Sequence, residues 1–513
     1  MNTTADATSR PAHPHLDRLK QLFAEIDDFK IIQAVLHWDQ QTQMPKGGAP
    51  ARADHLVAIR RLIHQKVSAP EVGELLAQLT ALEGQLPADS DDAGIIRVAR
   101  REHERATCLP PDLVDRISRA GTAGYQAWVR AREARDFELF RPALEVVVET
   151  TREMTEAMGG GADPLAVLVD LREPGVTPSD LDTLFDELRA GLVPLAQELF
   201  AREDRNNDQL FRQYFEPGRQ LEMAKAGVRA IGFALDDRGR QDISIHAFST
   251  AFSPDDVRIT TRPNEHNFGR AFFSLMHEAG HGTYMQGIPL RYRRTPLHEG
   301  ASAGMHESQS RLWQNHVARS LPFWEYFVPV ARAMFPAQFA KSTPEDIYRA
   351  ANVVRPSLVR VDADEVTYDL HIMLRYELER DVFTGRLAVG DLPAAWRAKT
   401  QAYLGIEPPD DLLGVLQDIH WTRSFGGSFQ GYTLGNVMSA QLFAKAHEEH
   451  PDLFGEWQTG EFGTLLAWMQ RNVHEHGPKL LPGQIIERAT GRPLTAQPYL
   501  AYLRRKLGDV YGL

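Results

Sequence analysis

HLDRLKQLFAEIDDFKIIQAVL, residues 15 to 36, sets Leu16, Leu19, Leu22, Phe23 and Ile26 three and four positions apart with charged residues between them. At 3.6 residues per turn those five share one stripe, so the segment reads as an amphipathic helix with a single core-facing side. The spacing returns in EVGELLAQLTALEGQL (71 to 86), DLDTLFDELRAGLVPLAQELF (180 to 200) and DLPAAWRAKTQAYLGI (391 to 406). Such stretches outnumber strand-like ones, and the fold is read as mainly α. Thr177-Pro178-Ser179-Asp180 marks one helix start, with a capping hydroxyl, a proline for the first helical position and an acid in the first turn. MGGGADPLA (158 to 166) lacks the ending of a phosphate loop and is read as a connection, as is EDRNNDQ (203 to 209). One region differs. DISIHAFSTAF (242 to 252) and DVRITTR (256 to 262) alternate apolar and β-branched residues, which predicts a β-hairpin or small sheet just ahead of the next helix.

The bulk composition narrows the class. A chain of 513 residues with 43% hydrophobic and 25% charged residues can bury a large core and is not a disordered sequence. Its net charge of −12, with no long basic tract, argues against nucleic acid or an anionic membrane as partner. Cys108 is the lone cysteine, so neither an internal disulfide nor a thiolate metal cluster is available. MNTTADATSRPAHPHLDRLK has no apolar signal region, and no run of about 18 apolar residues occurs, so a cytoplasmic protein is expected.

Chemistry concentrates in FFSLMHEAGHGTYMQG, residues 272 to 287. His277 and His281 stand four apart on one helix face and can share a metal ion, with Glu278 beside them. Phe272, Phe273, Leu275 and Met276 put that helix in the core. A catalytic zinc takes three protein ligands and keeps a fourth position open. The third is sought in GASAGMHESQSRLWQNHVARS (300 to 320), where His306, Glu307 and the preceding Glu299 compete. Glu307 is chosen, because two histidines and a later helical glutamate form the ligand set of thermolysin-like hydrolases; an ion pair of Glu307 with Arg311 is the plainer alternative. Glu278 then serves as general base toward water activated by the ion and hands the proton to the leaving amine, which is peptide hydrolysis. His298 and His306 are assigned to support or structure.

Several segments together resemble the Taq-type thermostable metallocarboxypeptidase family. They are LHWDQQTQMPKGGAPAR (36 to 52), DVRIT (256 to 260), HEAGH, GMHESQSRLWQN, VRVDAD (359 to 364), GVLQDIHW (414 to 421) and YTLGN (432 to 436), in that order along nearly the whole chain. The resemblance implies one catalytic domain over 1–513, a saddle-shaped helical peptidase fold with a deep groove between two lobes, and a homodimer. It also implies one zinc or cobalt per subunit on His277, His281 and Glu307, with Glu278 as the catalytic carboxylate. The expected activity is release of single residues from free peptide C-termini, with broad tolerance and proline disfavoured.

An exopeptidase must grip the terminal carboxylate, and a guanidinium fork suits two oxygens. Arg360 is the leading candidate, since the resemblance places VRVDAD at the closed end of the groove; a structural ion pair is its alternative. Asp364 is expected to support a neighbour. Arg258 and Asp256 either brace the groove or contact substrate, and His246 joins Arg258 as a substrate-binding candidate. His420 is read as a donor to the oxyanion or to the carboxylate, with Asp418 fixing its tautomer, and Tyr432 as a second donor. Two departures stand out: His246-Ala247-Phe248 replaces the family's His-Pro-Phe, and Gln430-Gly431 replaces Pro-Thr. Loss of two prolines is expected to loosen the groove wall and shift which terminal residues fit. An oligopeptidase or endopeptidase with an open groove, and a silent peptide-binding protein of the same fold, are the rival readings.

Overall fold

In the computed structural model, residues 13–161 and 163–513 are described; the first twelve residues of the N-terminal segment and Ala162 of the 158–166 connection lie outside them. The chain divides into two compact units. One takes in the described residues up to Thr107 together with Leu290–Glu299, and the other holds Cys108–Pro289 and Gly300–Leu513.

The first unit is built on the opening helix, Pro14–Thr42. Leu16, Leu19, Phe23 and Ile26 are buried on its stripe and Leu22 packs partly against them. Val72, Leu75, Leu76 and Leu79 of Pro70–Glu83 and Ile96 of Asp91–Thr107 fill the other side of that core. The segment Leu290–Glu299 belongs here through ion pairs: Arg291 meets Asp91 at 2.8 Å, Arg294 meets Asp28 at 2.7 Å, and His298 meets Asp27 at 2.9 Å. Its basic run is therefore an exposed, charge-paired face.

The second unit is mainly helical, as the periodicity predicts. Helix Pro178–Phe200 begins where expected, with Thr177 and Asp180 capping each other reciprocally. Helix Pro164–Asp170 begins inside the 158–166 stretch, so the connection ends at Asp163, which caps the helix. The expected hairpin is present as β2 (Ser249–Ser253) and β3 (Asp256–Thr261), but a third strand, β1 (Gly239–Ile243), joins β3 in parallel, so the order is β1-β3-β2. The chain leaves the sheet after Ile243 because Ser244 donates to the Thr260 hydroxyl at 2.6 Å and Phe248 N–H donates to that same hydroxyl at 2.9 Å, folding the connection over β3. Val257 and Ile259 are buried, and Thr261 donates to the Ala271 carbonyl of the next helix. The sheet thus braces the helix that follows it.

Among the described residues no helix is long and apolar enough to cross a membrane.

Candidate active site

Helix Phe268–Gly287 opens at Asn267, whose side chain caps Arg270 N–H. Phe268, Phe272, Leu275, Met276 and Ala279 are buried on its length. Helix Ala303–Arg311 opens at Ser302, which caps Met305 N–H at 2.9 Å, and continues as a π-helical turn over Leu312–Val317. The two helices approach so closely at Gly280 that an added Cβ would lie 2.5 Å from the Gln309 carbonyl and from Ser310 Cα. This contact sets the histidines of one helix against the glutamate of the other.

His277, His281 and Glu307 each offer a ligand atom, all within 4.8 Å of one another. Each imidazole Nε2 stands 3.5 Å from the same Glu307 Oε2. Ligands about 2.1 Å from a tetrahedral ion lie about 3.4 Å apart, so the donor set fits a zinc-like ion in chemistry and spacing. The far nitrogens are held too: His277 Nδ1 donates to Gln314 Oε1 at 2.9 Å, and His281 Nδ1 meets His306 Nδ1 at 3.0 Å. Those bonds leave Nε2 as the basic atom of both rings. Glu307 Oε1 accepts from Arg311 Nε at 2.7 Å, so the predicted i,i+4 ion pair and the ligand position use different oxygens of one carboxylate. Glu299 belongs to the other compact unit.

Burial and charge divide the roles. Burial opposes the charge of Glu307, yet the Arg311 guanidinium and the two imidazoles hold it well below the usual carboxylate range. Burial pushes His277 down to about 3, and a charge on His281 adds to that. For His281 burial acts the same way, but its hydrogen bond to Glu307 and the charges of Glu278 and Glu307 outweigh it and raise it. One carboxylate oxygen can favour one imidazolium, not two. Burial likewise keeps His306 near 3, hence neutral and able to accept from His281. Glu278 is 6% exposed and has no hydrogen-bond donor among the described residues. Burial first, then the Glu307 charge, raise its carboxyl to about 7.

A second cluster surrounds Arg360, which is buried. Its Nε and Nη2 donate to Asp418 Oδ1 at 3.1 and 2.9 Å, and Nη1 donates to Tyr368 Oη at 3.2 Å. The fully buried Arg375 donates to the other oxygen of Asp418 at 2.6 Å. Burial opposes the Asp418 charge, but these two guanidinium groups hold it far below the ordinary range. The predicted Asp418–His420 bond is therefore corrected: His420 Nδ1 is 3.8 Å from Asp418, because the arginines claim the carboxylate, and that nitrogen has no hydrogen-bond partner among the described residues. Burial pushes His420 down to about 4, so it is a neutral imidazole. Burial raises Tyr432 as well, keeping its phenol protonated. The Tyr432 ring lies 5.4 Å from the Arg360 guanidinium and 6.1 Å from the Tyr368 ring.

Other predicted residues fall elsewhere. Arg258 pairs with Asp256 at 2.9 Å within β3 and lies over the Phe252 ring at 4.7 Å, the bracing alternative. His246 is exposed in the connection between β1 and β2, beside Ala247. Asp364 caps helix Thr367–Phe383, accepting from Val366 N, Thr367 N and Thr367 Oγ1. Gln430 is buried at the start of helix Gln430–Glu449 and donates to the Gly427 carbonyl at 2.8 Å, a tie that the family's proline lacks. At Gly431 a Cβ would stand 2.9 Å from Oε1 of the buried Glu173, which accepts from Gly304 N at 2.6 Å. Burial raises that carboxyl to about 7, against hydrogen bonds from Ser302 and from Gly304 N–H. Tyr368, Arg375 and Gln314 escaped the sequence reading. Gln314, seven residues after Glu307 and hence on the same helix face, was reachable from spacing.

A sequence profile of the carboxypeptidase Taq (M32) metallopeptidase family matches residues 18–507. The chain is 39% identical to thermostable carboxypeptidase 1 of Thermus thermophilus over 488 residues, covering 93% of this chain and 95% of that protein. It is 35% identical to carboxypeptidase 1 of Bacillus subtilis over 505 residues, covering 98% and 99%. Among solved structures, the M32 carboxypeptidase of Deinococcus radiodurans superposes with a TM-score of 0.94 at 41% identity, over 98% of this chain and 100% of that one.

Proposed function

The chain belongs to the carboxypeptidase Taq (M32) metallopeptidase family and is a metallocarboxypeptidase, a peptide hydrolase; on that premise we propose that it removes single residues from free peptide C-termini, with Glu278 as general base. The observation that carries this reading is a buried carboxyl with no hydrogen-bond donor among the described residues, one residue from a histidine whose Nε2 converges with two other ligand atoms. His277, His281 and Glu307 would hold the divalent ion, which when bound supplies Lewis acidity and makes water more acidic.

The protein's own groups do the remaining work. Glu278 takes the proton of the attacking water and delivers it to the leaving nitrogen; burial makes its carboxylate a stronger base than a solvated one, which favours the first transfer. His420 and Tyr432, both neutral, donate to the oxyanion that forms on the scissile carbonyl. Arg360 receives the terminal carboxylate, supported by its place beside Tyr432. Arg258 and His246 keep a lesser claim as contacts to the peptide backbone.

The reading treats 1–513 as one catalytic domain and takes in broad side-chain tolerance with proline disfavoured. It also takes in a homodimer with Zn2+ or Co2+ in each subunit; two imidazoles and a carboxylate suit zinc. A cytoplasmic location is supported by the lone thiol.

The test is mass spectrometry of a mixed peptide pool incubated with metal-loaded and chelator-treated protein, each peptide supplied with a free and an amidated C-terminus. Metal-dependent ladders that shorten one residue at a time from free C-termini alone are expected. Internal cuts, or equal cleavage of amidated peptides, would make it an endopeptidase. No cleavage with metal bound would favour a silent peptide-binding protein.

A further inference from the structure

We propose that Tyr368 is a second donor of the terminal-carboxylate pocket, its phenol O–H binding one carboxylate oxygen while Arg360 binds the other. The inference rests on the carboxypeptidase reading above and adds a residue to it.

Tyr368 sits in the first turn of helix Thr367–Phe383. That turn is held by Asp364, which accepts from two backbone N–H groups and the Thr367 hydroxyl, and Tyr368 N–H itself donates to the Asp364 carbonyl at 2.9 Å. The ring is pinned from two further sides. The Arg311 guanidinium lies 4.6 Å from its centroid, and Tyr432 meets it edge-on. A residue fixed this firmly presents its hydroxyl in one place.

The hydrogen-bond count at that hydroxyl is incomplete. Arg360 Nη1 donates to Tyr368 Oη, which uses an oxygen lone pair and leaves the phenol proton to be given away. No acceptor among the described residues takes it, although Tyr368 is only 8% exposed. An unmet buried O–H is costly, so the site is built for an acceptor that arrives from outside.

Charge says which kind of acceptor. Arg360 and Arg375 share the single carboxylate of Asp418, so these two guanidinium groups carry one positive charge more than the carboxylate between them. Burial raises the Tyr368 phenol to about 12 even with Arg311 and Arg360 beside it, so it stays protonated and donates. Arg360 also needs the help. Its Nε–Nη2 edge is spent on Asp418 and Nη1 already reaches Tyr368, so an incoming carboxylate meets fewer than the five donors of a free guanidinium. The phenol supplies one more. An anion with two oxygens satisfies both groups at once.

The test measures binding of acetyl-Ala-Ala-Leu, as free acid and as amide, to metal-loaded Glu278→Gln protein by calorimetry, with and without Tyr368→Phe. The phenylalanine keeps the ring against Arg311, and an unchanged melting temperature verifies that. Loss of one hydrogen bond to a charged group predicts free-acid binding weaker by about tenfold or more, with the amide changed far less. Turnover on the Glu278 background should then show the loss in KM. Equal weakening for both peptides, or a fall in kcat with KM intact, would place the hydroxyl at the oxyanion and overturn the assignment. If the parent prefers the free acid and Tyr368→Phe prefers it equally, this inference alone fails. A parent that does not distinguish acid from amide brings down the carboxypeptidase reading of the pocket together with it.

Discussion

Glu278 and Glu307 lie on facing helices and are equally buried, yet their surroundings drive them in opposite directions. Glu307 is surrounded by Arg311 and two imidazoles and stays ionised; Glu278 has no donor among the described residues and burial raises it to about 7. A group that must exchange protons needs the second environment, and a ligand needs the first. Glu278→Gln is therefore expected to keep its metal, measured by elemental analysis, while kcat falls roughly 10²- to 10⁴-fold; retained turnover would remove Glu278 from the mechanism. Glu307→Ala should weaken metal binding and also strand the buried Arg311, costing roughly 3–5 kcal/mol of stability. Unchanged metal content in that variant would reassign the third ligand. The four-residue spacing of His277 and His281 made the candidate ligand pair legible in the sequence. Asp418 was misread because adjacency in sequence to His420 said nothing of Arg360 and Arg375, which reach it from 58 and 43 residues away.

Between elements, the site depends on how closely two helices approach. Gly280, inside the His-Glu-Ala-Gly-His stretch, is where helix Phe268–Gly287 touches the backbone of Ala303–Arg311. A methyl group there meets a carbonyl and a Cα at 2.5 Å, and backbone cannot swing aside as a side-chain tip can. Gly280→Ala is thus expected to cost about 1–3 kcal/mol or more and to weaken metal binding, because the histidines and Glu307 would separate. Metal titration with thermal melts checks both; normal affinity with normal stability would show that the helices can shift without harm. Helix stops and starts were largely readable, as the Thr177–Asp180 cap shows. The parallel partner of β3 was not, since pairing between residues 239 and 257 leaves no trace in local alternation.

Across the whole molecule, buried neutral histidines set the acid limit. His316 is stacked 4.0 Å from Tyr502 and packed on Phe443, with no partner for Nδ1 among the described residues. Burial pushes it down to about 3, with Lys506 and Arg505 acting the same way and Glu365 opposing them. Its folded value lies below its unfolded value of 6.5, so its contribution to stability is complete above 6.5 and is lost as pH falls toward 3. Melts between pH 6.5 and 4 should show His316→Phe less acid-sensitive than wild type, by up to about 1.4 kcal/mol per pH unit. Identical slopes would mean that His316 is not held neutral.

Residue spacing by itself determined the mainly α class, the histidine pair with its glutamate, and the order of segments that resembles the carboxypeptidases, because helical period and motif spacing are local properties. It chose Glu307 over His306 and Glu299 without showing which of its oxygens faces the imidazoles, and it proposed Arg360 without its partners. Only the tertiary structure decided that Glu307 Oε2 lies equidistant from both imidazoles, that Gln314 and His306 hold their far nitrogens, and that Tyr368 completes the surroundings of Arg360. Those relations depend on the direction of side chains from elements far apart in the chain, which packing sets and periodicity does not.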